Sequence, residues 1–151
     1  MHIPGTIQSV LNLKQNPSLV YTVRPDATVF EALQILAEKN IGALLVMEGD
    51  KPVGIFSERD YARKCILLGK YSKDTLVKDI ISTNLITVSP DESVEEAMRL
   101  MTEHRVRHLP VIKDGKVVGL VSIGDLVNYI IKTQDQIIKQ MENYIHGTYT
   151  V

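Results

Sequence analysis

Apolar positions along this chain change period several times, and they do so twice in the same order. Val29, Ala32, Leu33 and Leu36 recur at i, i+3, i+4 and i+7, a single stripe that predicts a helix. Two short, almost continuous apolar runs follow, Ala43–Met47 and Pro52–Phe56, around the polar turn EGDK. That pattern predicts a hairpin with both faces covered. The same succession returns 65 residues later: Val94, Ala97, Met98 and Met101 form the stripe, and His108–Ile112 and Val117–Val121 flank the turn KDGK. In each copy a short strand (Leu19–Val23 in the first) precedes a T-x-x-E or S-x-x-E capping box, Thr28 with Glu31 and Ser93 with Glu96. A helix is predicted to start at Ser57 and again at Ser122.

Residues 20–66 and 85–131 align without a gap, with about a third of positions identical. The residues that punctuate structure stay in register: Pro25 over Pro90, Asp26 over Asp91, Gly54 over Gly119, Ser57 over Ser122, Asp60 over Asp125. A unit this short does not bury its apolar faces alone, so each copy is expected to pack on its twin, with a cleft between them. The predicted fold is α/β (α+β): two β-α-β-β-α repeats related by a pseudo-two-fold axis, an N-terminal helix and an extended C-terminal helix. The expected organisation is a helix and lead-in over 1–17, repeat one over 18–70, a linker with a short helical turn over 71–84, repeat two over 85–133, and a helix extension and tail over 134–151. Over Gly5–Lys14, the positions Ile7, Val10, Leu11 and Lys14 predict a short amphipathic first helix, ended by Asn16-Pro17. Ile130, Ile131, Ile137, Ile138, Met141, Tyr144 and Ile145 line the last one, more apolar surface than a two-repeat core needs. It is predicted to meet the N-terminal helix or a second copy of the chain.

Composition narrows the function. At 151 residues and 44% apolar content the chain is one ordinary globular domain. A formal net charge of −1 gives no long-range pull toward nucleic acid or an anionic membrane, so any bound anion must be met by local basic groups. The single cysteine, Cys65, forms no internal disulfide and reads as a packed thiol of a reducing, cytoplasmic protein. The leading MHIPGTIQSV has neither the basic nor the apolar region of a secretion signal, and no apolar run reaches membrane-spanning length.

The chemistry concentrates in Gly-x-x-Ser-x-x-Asp, present as Gly54–Asp60 and Gly119–Asp125. The glycine admits close approach to a strand end. The serine stands where a helix begins and backbone N–H groups face outward. The aspartate, in the first turn, can accept hydrogen bonds from both hydroxyls of a ribose, and apolar strand ends offer walls for a flat base. S-x-x-D is also a capping box, and the two roles are compatible.

The doubled unit with G-h-x-S-x-x-D, D-x-[ST]-V-x-E-A-h and R-H-L-P-V resembles the tandem cystathionine β-synthase (CBS) domain, or Bateman module, in its stand-alone single-pair form. The resemblance covers about residues 6–145. It implies an adenosine ligand, with AMP, ADP, ATP and NAD(H) as candidates, in the clefts between the repeats, and frequently a homodimer. By its motif Asp60 and Asp125 take ribose and Ser57 and Ser122 the ribose–phosphate region. Adenine would sit near Thr22, Val23, Thr87, Val88, Ile55 and Leu120. The expected role is regulatory, an energy- or redox-sensing module signalling to an effector protein through a conformational or dimer change. A constitutive dimerisation scaffold without a physiological nucleotide is the alternative.

Mismatches between the copies point to unequal clefts. Arg107-His108 replaces Gly42-Ala43, whereas Arg59 stands opposite Gly124. Arg59, Arg107 and His108 are therefore expected to gather around phosphate, for which arginine's planar fork is suited. Arg63 and Lys64 read as solvated helix charges, and Arg105 as a cap for the preceding helix. His104 and His108 have a metal-like spacing, but it crosses from helix to strand without a third ligand, so no metal site is expected. No P-loop, G-x-G-x-x-G or G-x-S-x-G is present, and no activated nucleophile marks an enzyme.

Overall fold

The computed structural model describes residues 3–81 and 83–146, with side chains to residue 143. Tyr144 and Ile145 of the predicted C-terminal stripe therefore lie outside the described side chains. The elements in chain order are α1 (Ile7–Asn12), β1 (Thr22–Val23), α2 (Val29–Lys39), β2 (Ala43–Glu48), β3 (Lys51–Ser57), α3 (Glu58–Lys64), α4 (Val94–His104), β4 (His108–Lys113), β5 (Lys116–Ser122) and α5 (Ile123–His146). Short 3-10 turns at Ile66–Leu68 and Val77–Asp79 link the repeats.

Local chemistry starts each helix where the sequence places it. Thr28 and Glu31 form the complete capping box of α2, while Ser93 accepts from the Glu96 N–H at 3.0 Å at the start of α4. The Glu96 carboxylate turns instead to Arg99, which leaves the second box half made. On α2 the predicted stripe buries Val29, Ala32 and Leu36, and on α4 Val94, Ala97 and Met101. Both hairpins are antiparallel, with Leu44 opposite Phe56 and Leu109 opposite Val121.

The first strand of each repeat is shorter than its apolar run suggests. β1 keeps only Thr22 and Val23, parallel to β2. In repeat two it shrinks to a lone bridge between Val88 and Val111. Its cause is one residue. Leu45 donates its N–H to the Tyr21 carbonyl at 3.1 Å, and the matching position in repeat two is Pro110, which has no N–H to give.

The core also differs from a simple twin-on-twin arrangement. Each repeat has its own apolar cluster, and each is completed by a segment lying before it or after it in the chain. Ile7, Val10 and Leu11 of α1 are buried with Leu109, Val111, Val121 and Leu126 of repeat two. Val77 and Ile80 are buried with Phe56, Leu44 and Cys65 of repeat one. The docking hydrogen bonds match by pseudo-symmetry: Ile7 and Gln8 donate to Glu92 and Pro90 at 2.9 Å, and Val77 and Lys78 to Ala27 and Pro25 at 2.9 and 3.0 Å. Burying each α1 side chain contributes roughly 1.5–3 kcal/mol. Part of the apolar face of α5 joins the repeat-two cluster through Ile130, and the Tyr129 hydroxyl donates to the Pro4 carbonyl at 3.1 Å. Ile131, Ile137, Ile138 and Met141 stay exposed.

Candidate functional site

Each G-x-x-S-x-x-D segment runs off the end of a hairpin strand into a helix. Ser57 caps α3: its Oγ accepts from the Asp60 N–H at 3.2 Å, while Asp60 Oδ2 accepts from the Ser57 N–H and Oγ–H, both at 3.0 Å. Ser122 and Asp125 repeat the device at α5, with contacts of 2.9 and 3.1 Å. Capping therefore fixes the rotamer of both aspartates. Each remains partly exposed, with side-chain accessibilities of 22% and 26%, at the edge of a cavity.

The two cavities are mates under the 65-residue repeat. The first, of about 630 Å³, sets Ile55, Ser57 and Asp60 of repeat one against Asn84, Leu85 and Ile86 and Val106, Arg107 and His108 of repeat two. The second, of about 420 Å³, sets Leu120, Ser122 and Asp125 of repeat two against Leu19, Val20 and Tyr21 and Ile41, Gly42 and Ala43 of repeat one. Each of these lining residues in one cavity has its repeat counterpart in the other. The aspartate of one copy thus faces the lead-in and second strand of the other. Such crossing is what a pseudo-two-fold pair produces. Both volumes lie in the range of small-molecule sites.

Charge separates them. Five basic side chains, Arg59, Arg63, Lys64, Arg105 and Arg107, line the first cavity against the carboxylates of Glu58 and Asp60. Lys64 Nζ lies 3.6 Å from Asp60 Oδ1. In the second, Lys14 and Asp125 are the one cation–carboxylate pair of the lining. His108 borders both. Burial holds its imidazole below the ordinary value of 6.5, as do Lys14 and Arg107, while Asp125 acts in the opposite direction. It is therefore a neutral group near pH 7.

Of the residues singled out from sequence, Ile55, Ser57, Arg59, Asp60, Arg107 and His108 meet in the first cleft, and Leu120, Ser122, Asp125 and His108 in the second. The four other residues expected near adenine do not join them. Thr22 and Val23 line a separate cavity of about 920 Å³, with Arg24, Glu48 and Lys78. Val88 is buried in the repeat-two cluster and Thr87 is exposed, so neither lines either cleft. The walls come instead from residues one to three positions earlier, because β1 and its counterpart turn away from the clefts once they pair with the second strands. Arg63 and Lys64 are exposed, as expected of solvated helix charges, and at the same time border the first cleft, as does His104. Arg105 ends α4 with a left-handed φ of 55° and faces the same space. Helix periodicity from Asp60 (i+3, i+4) was the available signal for Arg63 and Lys64; no sequence signal places Lys14. Among the described residues no cluster of His, Cys, Asp and Glu is arranged to hold a metal ion, and no helix is long and apolar enough to cross a membrane.

The family model for the CBS domain matches residues 18–66 and 77–132. The chain belongs to the CBS-domain family. A CBS domain-containing protein of Arabidopsis thaliana, CBSX3, mitochondrial, is 43% identical to this CBS pair over 129 residues, 82% of this chain and 63% of its own. The chain thus spans somewhat less than two thirds of that relative. A solved CBS-domain protein of Burkholderia ambifaria MC40-6 matches with a TM-score of 0.83 at 47% identity, over 86% of this chain and 96% of that one. The CBS domain pair of protein MJ0100, solved in complex with 5′-methylthioadenosine and S-adenosyl-L-methionine, matches with a TM-score of 0.71 at 26% identity, over 82% and 94%.

Proposed function

We propose that this CBS pair is a regulatory module that binds an adenine nucleotide (AMP, ADP, ATP or NAD(H)) in the clefts between its repeats and carries no catalytic activity of its own. The observation that carries this reading is the pair of matched cavities, each with a capped, partly exposed aspartate opposite apolar side chains of the other repeat. Asp60 and Asp125 accept the ribose hydroxyls, and Ser57 and Ser122 hold them in place. Adenine packs on Ile55, Leu85 and Ile86 in the first cleft and on Leu120, Val20 and Tyr21 in the second. This replaces Thr22, Val23, Thr87 and Val88 as its walls. Arg59, Arg107 and His108, joined by Arg63, Lys64 and Arg105, meet phosphate in the first cleft. The adenosine ligands of the MJ0100 pair support the ligand class.

Because His108 borders both cavities, charge bound in one is felt in the other, which couples the sites. The signal passes to an effector protein through a change in repeat packing or in association of two copies, and the exposed apolar side chains of α5 offer the dimer surface. A buried single cysteine suits the reducing cytoplasm.

The test is a thermal-unfolding panel of AMP, ADP, ATP and NAD(H) on the wild-type chain, Asp60→Ala and Asp125→Ala. A ligand at 100 times its Kd contributes about 2.7 kcal/mol, a rise of about 5–10 °C in Tm for a domain of this size. Each variant should lose part of that rise. If no adenosine compound stabilises the wild-type protein, the scaffold reading replaces this one.

A further inference from the structure

In the second cleft the position beside the ribose carboxylate is occupied by a side chain from outside both repeats. Lys14, just past α1, donates to the Leu120 carbonyl at 2.8 Å and to Asp125 Oδ2 at 3.1 Å. Two features bring it there. The apolar face of α1 is buried against repeat two, and Gly119 leaves room for it: a Cβ on Gly119 would stand 2.9 Å from Leu11 Cδ2 and 3.2 Å from the Pro17 carbonyl oxygen. The first motif glycine of repeat two therefore serves the N-terminal segment.

Asp125 Oδ2 already accepts from the Ser122 N–H at 2.9 Å, so the lysine completes its two lone pairs. A ribose that takes both carboxylate oxygens must move Lys14 aside. Its ammonium, on a side chain 30% exposed, then loses its counterion inside a cavity whose lining, among the described residues, holds no other carboxylate. A neutral nucleoside leaves that charge unpaired, whereas a ligand carrying its own anion pairs it again. His108 does not supply a competing cation, since burial keeps it neutral near pH 7.

We propose that Lys14 is the specificity-determining residue of the second cleft, admitting a nucleoside that bears an acidic group, such as a 5′-phosphate, and disfavouring the uncharged nucleoside. This rests on the adenosine reading given above. It makes the two clefts select for phosphate by different means, an arginine cluster in the first and a single exchangeable lysine in the second.

The experiment is isothermal titration of AMP and of adenosine into full-length protein carrying Asp60→Ala, which isolates the second cleft, with and without Lys14→Met. The methionine keeps the aliphatic stem, and Lys14→Arg restores the charge. Loss of a charge-assisted hydrogen bond should reduce the ratio of AMP to adenosine affinity about tenfold or more in Lys14→Met, with Lys14→Arg close to the parent ratio. A ratio that survives Lys14→Met, with both compounds still bound, overturns the role of Lys14 and leaves the adenosine reading standing. Absence of binding by either compound to the wild-type chain overturns both.

Discussion

Replacing Gly119 with alanine presses one methyl group against the joint between the N-terminal segment and repeat two. Its Cβ would meet Leu11 Cδ2 at 2.9 Å, Leu11 Cδ1 at 3.2 Å and the Pro17 carbonyl oxygen at 3.2 Å. Rotating Leu11 gives no easy escape, because that side chain is 2% exposed and enclosed by the repeat-two cluster. A carbonyl oxygen of the main chain yields only by moving the loop. Overpacking of this kind costs about 1–3 kcal/mol, a fall of about 2–12 °C in Tm for a chain this long. Gly124→Ala is the matched control, since its Cβ meets only Ser122 Oγ at 3.6 Å, an ordinary contact in the first turn of a helix. It should be neutral or stabilising by up to about 1 kcal/mol. Differential scanning calorimetry of both variants without ligand measures the difference. In Leu11→Ala, which itself costs about 2–5 kcal/mol, Gly119→Ala should cost much less than in the wild-type background. Equal melting temperatures for Gly119→Ala and Gly124→Ala, or strict additivity with Leu11→Ala, would refute the reasoning.

Three further outcomes are expected. The folded chain holds His108 below 6.5, so between that depressed value and 6.5 the unfolded chain binds the extra proton. The His108 contribution to stability is therefore fully present above about pH 6.5 and is lost as pH drops below it, so the slope of Tm against pH there should flatten in His108→Gln. Arg105→Gly removes a side chain from a left-handed position (φ 55°) and should raise unfolding free energy by up to about 1 kcal/mol in urea titrations, while weakening AMP binding to the first cleft; loss of stability would contradict the backbone argument. Without ligand, Asp60→Ala should cost about 1 kcal/mol, the value of a helix cap, and Asp125→Ala more than that, because it also leaves Lys14 without its carboxylate, as measured by chemical denaturation. Equal losses for the two variants would contradict the pairing of Lys14 with Asp125.

Local signals and internal repetition made much of this protein legible without coordinates. The capping residues Thr28, Ser57, Ser93 and Ser122 start their helices where the pattern puts them, because an N-cap is settled within four residues. Stripe and hairpin positions also follow from periods of 3.6 and 2, which are properties of the backbone. Matching the two copies at their 65-residue offset singled out Ser57, Asp60, Ser122 and Asp125, and the mismatches singled out Arg59, Arg107 and His108. All seven line the clefts.

What lay beyond the sequence is what depends on which copy faces which. The repeat shows that Ile55 and Leu120 are equivalent, but not that Ile55 faces Leu85 and Ile86 while Leu120 faces Val20 and Tyr21. Thr22, Val23, Thr87 and Val88 line neither cleft, because strand pairing turns the chain away from the clefts there. Pro110 was visible, yet its effect on the first strand of repeat two appears only when its missing N–H is set beside a partner carbonyl. Lys14 is the clearest case: it lies 111 residues from Asp125, outside the repeat and in no motif. Sequence fixes each residue's chemistry and each element's period. The exchange of walls between copies, and the lysine brought against the second aspartate, are set by long-range packing of apolar faces, which has no fixed spacing along a chain.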